Sequence, residues 1–256
     1  MKLLFTLFFI GNIFFVKAQT KLPQDSVDYY INETRNILNK IIKDQDLSSD
    51  FKNENKIDPN YINANVKNIQ KLLINSDKLI KNNPNRIDYY TTKTYFYFIS
   101  NMYDNFIKES EAILIQAKNN KNNWYNLTDT NKADSQVLLK AFYPYIKFMA
   151  PIKNNNDEYY LEVVVKLFET YLPNTSDQYL IKAWVQNKLG KGNLAIESLE
   201  KGRKKFPNNL DIIIQLYEYY FSTKNQEKMT QLKDEIFKSK NQDLINQFQS
   251  IIINFK

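Results

Sequence analysis

The sequence predicts an all-α protein, with antiparallel helix hairpins stacked as a short solenoid. Three observations carry that expectation. Apolar residues recur at spacings of three and four along nearly the whole chain, and strict alternation over a strand length is rare. Prolines stand where these periodic segments begin or end, at Pro59, Pro84, Pro173 and Pro207, where a missing N–H and a fixed φ start or stop a helix. Three of the four glycines, Gly190, Gly192 and Gly202, fall inside Ser176 to Asn209, a stretch that reads as helix, tight turn and helix.

The chain opens with Lys2, an apolar run from Leu3 to Val16 and the small-residue sequence Val16-Lys17-Ala18. A basic start, a short greasy core and a cleavage site of this kind predict a secretory leader, residues 1–18. The run is shorter than the ~20 apolar residues of a spanning helix. The expectation is therefore export to the periplasm or beyond the cell, with no stable membrane insertion after cleavage and one helical domain over residues 19–256. No cysteine follows the cut, which excludes a lipid anchor there.

The first helix is predicted over Asp25 to Asp44, capped by Asp25 or Ser26, with Val27, Tyr30, Ile31, Leu38, Ile41 and Ile42 along one side. After polar Gln45 to Lys56, Asp58-Pro59 should start a single helix that runs to Asn82 or Asn83 before Pro84. Asp88 to Ser100 is an aromatic helix. A turn at Asn101 to Asp104 leads into a partner helix ending near Lys118. Asn119 to Asp134 reads as the longest loop, with Trp124 able to pin it. A helix should resume with Val137, Leu138, Leu139 and Phe142, kinked or split by Pro144. Asp157 to Leu172 is a further amphipathic helix, and Asn241 to Phe255 a capping one, with Leu244, Phe248, Ile251 and Ile252 turned inward.

Residues 176–209 carry a resemblance. Gly190 stands at the turn between helices, Ala195 and Leu199 form the apolar seam, Gly202 is the small residue at a close approach, and Pro207-Asn208-Asn209 ends the unit. Pro173 and Pro207 are 34 positions apart. In these features the segment resembles a tetratricopeptide repeat, a helix-turn-helix unit of about 34 residues. It departs from the pattern at Lys182 and Gln186, where Leu and Tyr are usual. Residues 210–243 resemble a degenerate copy, keeping Ile213, Leu216 and Tyr220. The mature chain as a whole resembles exported tetratricopeptide-like proteins of Bacteroidota, a group that implies a scaffold and no reaction.

Composition removes much chemistry. The chain has no cysteine and no histidine, which excludes disulfides, thiol nucleophiles, Ser-His-Asp triads, histidine bases and the usual zinc sites. Stability must come from packing. The formal charge is +7, and Lys2 and Lys17 lie in the leader, so the mature surface is only mildly basic and its lysines alternate with acids. That pattern suits a solvated surface better than a nucleic-acid track.

In the family that this segment resembles, first helices of the hairpins line a concave surface. The resemblance implies a protein- or peptide-binding face there, with Leu180, Trp184, Asn187, Asp211, Ile214 and Glu218 as the residues to test and no cofactor or catalysis. Trp184 can instead fill the gap left by Lys182 and Gln186. Three other features have a competing reading. The aromatics from Tyr89 to Phe98 suit either a core or a sugar-stacking surface, the latter requiring Tyr90 and Tyr97 to be exposed together. Glu158, Glu162 and Glu169 could serve as an acid–base pair only with a carboxylate from another element. Lys201, Arg203, Lys204 and Lys205 sit near a helix C-terminus, where the dipole favours cations. The rival reading is a glycan-binding or carbohydrate-active helical protein of the cell envelope.

Overall fold

Asp58 and Pro59 start a helix as the sequence requires, the Asp58 carboxylate accepting the Asn60 amide at 2.9 Å. In the computed structural model, which describes residues 21–47, 56–125, 137–148, 155–253 and 255, that helix is short. The predicted single helix is two: α2 (Pro59–Ala64) and α3 (Val66–Asn82), preceded in the chain by α1 (Gln24–Asp44). The break lies at Asn65, whose backbone leaves the helical range at φ −116° and ψ 19°, while its side-chain and backbone amides both donate to the Tyr61 carbonyl. At α1 the correction is smaller. Neither Asp25 nor Ser26 caps it; the Pro23 carbonyl accepts the Ser26 and Val27 amides, and the helix starts one residue early.

Helices α4 (Ile87–Ile99) and α5 (Tyr103–Asn119) form the expected hairpin around Asn101, which takes a left-handed φ of 55°. Tyr89, Tyr90, Phe96, Phe98 and Ile99 are buried, and Tyr95 and Tyr97 half-buried. Burial of Tyr90 makes this helix core and removes the sugar-stacking alternative. Lys93 is buried between two acids, Glu109 of α5 at 2.6 Å and Asp77 of α3 at 2.7 Å, the pairing that an interior charge needs. Trp124 anchors the described start of the following loop: it is fully buried, edge-on to Tyr90 at 5.9 Å, and its indole N–H donates to Asn122. Residues 126–136 lie outside the described part.

Helix α6 (Val137–Phe148) continues through Pro144 rather than splitting there. Then follow α7 (Asn155–Tyr171), α8 (Ser176–Lys188), α9 (Gly192–Lys205), α10 (Leu210–Ser222), α11 (Gln226–Phe237) and α12 (Gln242–Ile252). Each of α8, α10, α11 and α12 begins at a side-chain cap, from Thr175, Asn209, Asn225 and Asn241 respectively, satisfying an otherwise free amide. Gly190 supplies the left-handed turn between α8 and α9 at φ 71°. Gly202 lets the same two helices close up.

Among the described residues the architecture is helix on helix, with no named strand. Helix α4 packs on α6, α6 on α8, α8 on α10 and α10 on α12; α5 packs on α7, α7 on α8 and α9 on α10. One apolar cluster runs from Ile41 to Phe248 through all these contacts. In α12 Leu244 and Phe248 are buried, while Ile251 and Ile252 are only half-buried. No described helix is long and apolar enough to cross a membrane. The expected leader, residues 1–18, lies outside the described residues.

Candidate functional site

Because α6, α8, α10 and α12 neighbour one another in turn, the faces they leave uncovered form one surface. Two adjoining hollows lie on it. The first, about 320 Å³, is lined by Leu139, Tyr143, Trp184, Asp211, Ile214 and Ile251 among others. The second, about 270 Å³, is lined by Ile146, Asn187, Lys188, Glu218 and Tyr219. Tyr143, Trp184 and Gln215 belong to both, which makes them a single groove with a shared ridge.

Trp184 is held at that ridge. Its ring meets Tyr143 edge to face at 4.8 Å and its indole N–H donates to the Gln215 side chain at 2.9 Å, so the half-buried ring is held in one orientation. Beside it, Lys188 donates to the Lys147 carbonyl at 2.8 Å. Partial burial lowers the Lys188 pKa. Burial raises the carboxyl of Glu218, opposed by the Gln215 amide, and that of Asp211, opposed by Lys140. Burial, followed by the charge of Glu218, raises Tyr219 as well. These groups are thus partly stripped of water before anything binds. The floor is apolar; its polar groups are two amides, Asn187 and Gln215, and a few charges at the edge.

Five of the six residues predicted from the sequence line this groove: Trp184, Asn187, Asp211, Ile214 and Glu218. Leu180 does not. It is fully buried, because α8 is enclosed by α6, α7, α9 and α10, and it belongs to the core. Sequence reasoning missed the α6 side of the groove, Leu139, Tyr143 and Ile146, together with Gln215 and Tyr219. Tyr143 carried a usable signal, being the aromatic that falls off the buried stripe of Leu138, Leu139, Phe142, Tyr145 and Ile146.

Most of the remaining candidates have structural partners. Lys191 reaches Glu158 at 3.0 Å and Glu162 at 3.6 Å, and Lys182 reaches Glu169 at 2.7 Å, so these carboxylates tie α7 to its neighbours. In the basic run, Arg203 pairs with Glu235 and Lys205 bonds to Asn174.

Compared with protein-family models, curated proteins and solved structures, the chain matches none. The groove is therefore read from its own chemistry.

Proposed function

We propose that the protein is an exported scaffold, a short tetratricopeptide-like solenoid that binds an extended segment of a partner protein along the α6–α8–α10 groove without catalysis. The observation that carries this reading is the fixed Trp184–Tyr143 ridge between two apolar hollows, flanked by Asn187 and Gln215. An extended chain sends alternate side chains to one face. Two such side chains fill the hollows on either side of the ridge, and the Asn187 amide offers a donor and an acceptor to the backbone between them, while Gln215, bonded to Trp184 and Glu218, holds the ridge in place. Lys188 and Glu218, of opposite charge at one end, favour a partner with a matching pair and give direction. The alternation of even-numbered helices along one side supports the solenoid arrangement.

The test is selection of peptides from a random displayed library on the protein, followed by titration against Trp184→Ala and Asn187→Ala. Asn187 is exposed and its side chain makes no hydrogen bond among the described residues, so its replacement leaves the fold alone. Affinity should fall about tenfold or more in each, the equivalent of ~1.4 kcal/mol. Peptides that bind both variants as well as the parent place the site elsewhere.

A further inference from the structure

A second groove, of about 440 Å³, lies between α1 and α3, on residues that the peptide groove does not use. Its floor is apolar, made by Ile37, Ile41 and the ring of Tyr61. One wall is a ladder on α1, in which Asn32, Asn36 and Lys40 succeed one another every four residues, about 6 Å along the axis. The facing wall carries Asn65, Asn68 and Lys71. Past Lys71 the groove opens into a hollow with Lys67, Lys78, Tyr30 and Tyr29, the last 54% exposed.

One feature separates this groove from an ordinary solvated helix face. Glu33, at its centre, is locked by three partners: it accepts from the Tyr29 hydroxyl at 3.0 Å and the Asn75 amide at 2.8 Å, and pairs with Lys71. By contrast Asn32, Asn36, Asn68 and Lys40 are exposed, and among the described residues their side chains make no hydrogen bond or ion pair. A fixed centre is thus surrounded by solvated amides and a lysine that line one channel and can exchange water for a ligand.

We propose that this groove binds an oligosaccharide containing acidic sugars. Each free amide offers a donor and an acceptor together, which is what a pair of neighbouring ring hydroxyls requires. The ladder's step is comparable to the advance of one pyranose unit with its glycosidic bond, so successive rungs meet successive sugars. The exposed Tyr29 ring gives a face on which a sugar's C–H side can rest. Charge decides between neutral and acidic chains. The lining has four lysines, Lys40, Lys67, Lys71 and Lys78, to one glutamate, Glu33, which Lys71 already neutralises. The remaining excess is positive and lies along the channel, where it attracts a carboxylate on each ring.

The experiment is calorimetric titration of the protein with an oligogalacturonate, using a neutral oligoglucose and polyglutamate of matched charge as controls. Saturable oligogalacturonate binding is expected, stronger than either control. It should weaken about tenfold in Asn36→Ala/Asn68→Ala and in Lys40→Ala. All three are exposed positions, so melting should be unaffected, and Trp184→Ala should bind the sugar as the parent does. No binding, equal binding of polyglutamate, or affinity unchanged in the Asn36→Ala/Asn68→Ala variant overturns the proposal. So does loss in Trp184→Ala alone, which would place the sugar in the other groove.

Discussion

Replacing Gly202 by alanine tests the close approach of α8 and α9. A Cβ built there lies 2.8 Å from Tyr179 Cβ, 2.9 Å from Tyr179 Cγ and 3.1 Å from Ile212 Cδ1. Carbon atoms rest at about 3.5–4.0 Å, and the atom first struck is a Cβ fixed to the α8 backbone, so α8 and α9 must separate. Overpacking of this kind costs about 1–3 kcal/mol. Alanine also favours a helix over glycine by up to ~1 kcal/mol, which hides part of the loss. Gly192→Ala is the control, since it lies in the same helix and its Cβ would meet nothing within 4 Å. Thermal and urea melts followed by far-UV dichroism should put Gly202→Ala below Gly192→Ala. At roughly 2–4 °C per kcal/mol for a chain of this size, the gap is about 2–12 °C. If Gly202→Ala melts at or above Gly192→Ala, α8 and α9 do not approach as described.

Trp124→Ala should cost ~3–5 kcal/mol, as for a fully buried aromatic, against ~1–2 kcal/mol for half-exposed Trp184→Ala; equal losses in chemical denaturation would contradict their different burial. Lys93→Met leaves Glu109 buried and unpaired and should cost about 3–5 kcal/mol, most of it recovered in Lys93→Met/Glu109→Leu; a double variant as weak as the single one counts against a buried pair. Asp177, buried at the start of α8, has its carboxyl pushed up to about 6 by desolvation, against the hydrogen bond it accepts from Asn122. The folded state therefore holds this proton more tightly than the unfolded chain, and its contribution to stability falls as pH rises from about 4 to 6. Asp177→Asn removes that loss and should gain up to ~2 kcal/mol over the parent at pH 7.5 relative to pH 4.5. A gain that does not change with pH would show that the carboxyl is not perturbed.

The helices were legible because burial repeats at three and four residues and because the stop residues are explicit, as at Pro84, Pro173 and Gly190. The hairpin of α8 and α9 was the clearest of all, since Gly190 suits the left-handed turn and Gly202 sits at an approach that leaves no room for a Cβ. What escaped depended on competition or on distant neighbours. Asn65 looks as compatible with a helix as Asn68, and nothing in the local pattern marks it as the residue whose backbone turns out of the helix. Leu180 and Trp184 are one turn apart on the same helix, and four enclosing helices decide that the first is buried and the second is not. Five groove residues were found from α8 and α10 by analogy of position, whereas Tyr143 belongs to α6, whose place opposite them is a tertiary fact. The α1 ladder was invisible for a further reason. Asparagine is common throughout this chain, and Asn32 and Asn36 stand out only once α3 faces them.

The most direct measurement is the emission of Trp184 in a Trp124→Phe background, where it is the sole tryptophan, as a library-selected peptide is added. Occupation of the groove removes water from the half-buried ring, so the spectrum should shift to the blue and saturate at the concentration where binding saturates. Full binding with an unchanged Trp184 spectrum would contradict the account.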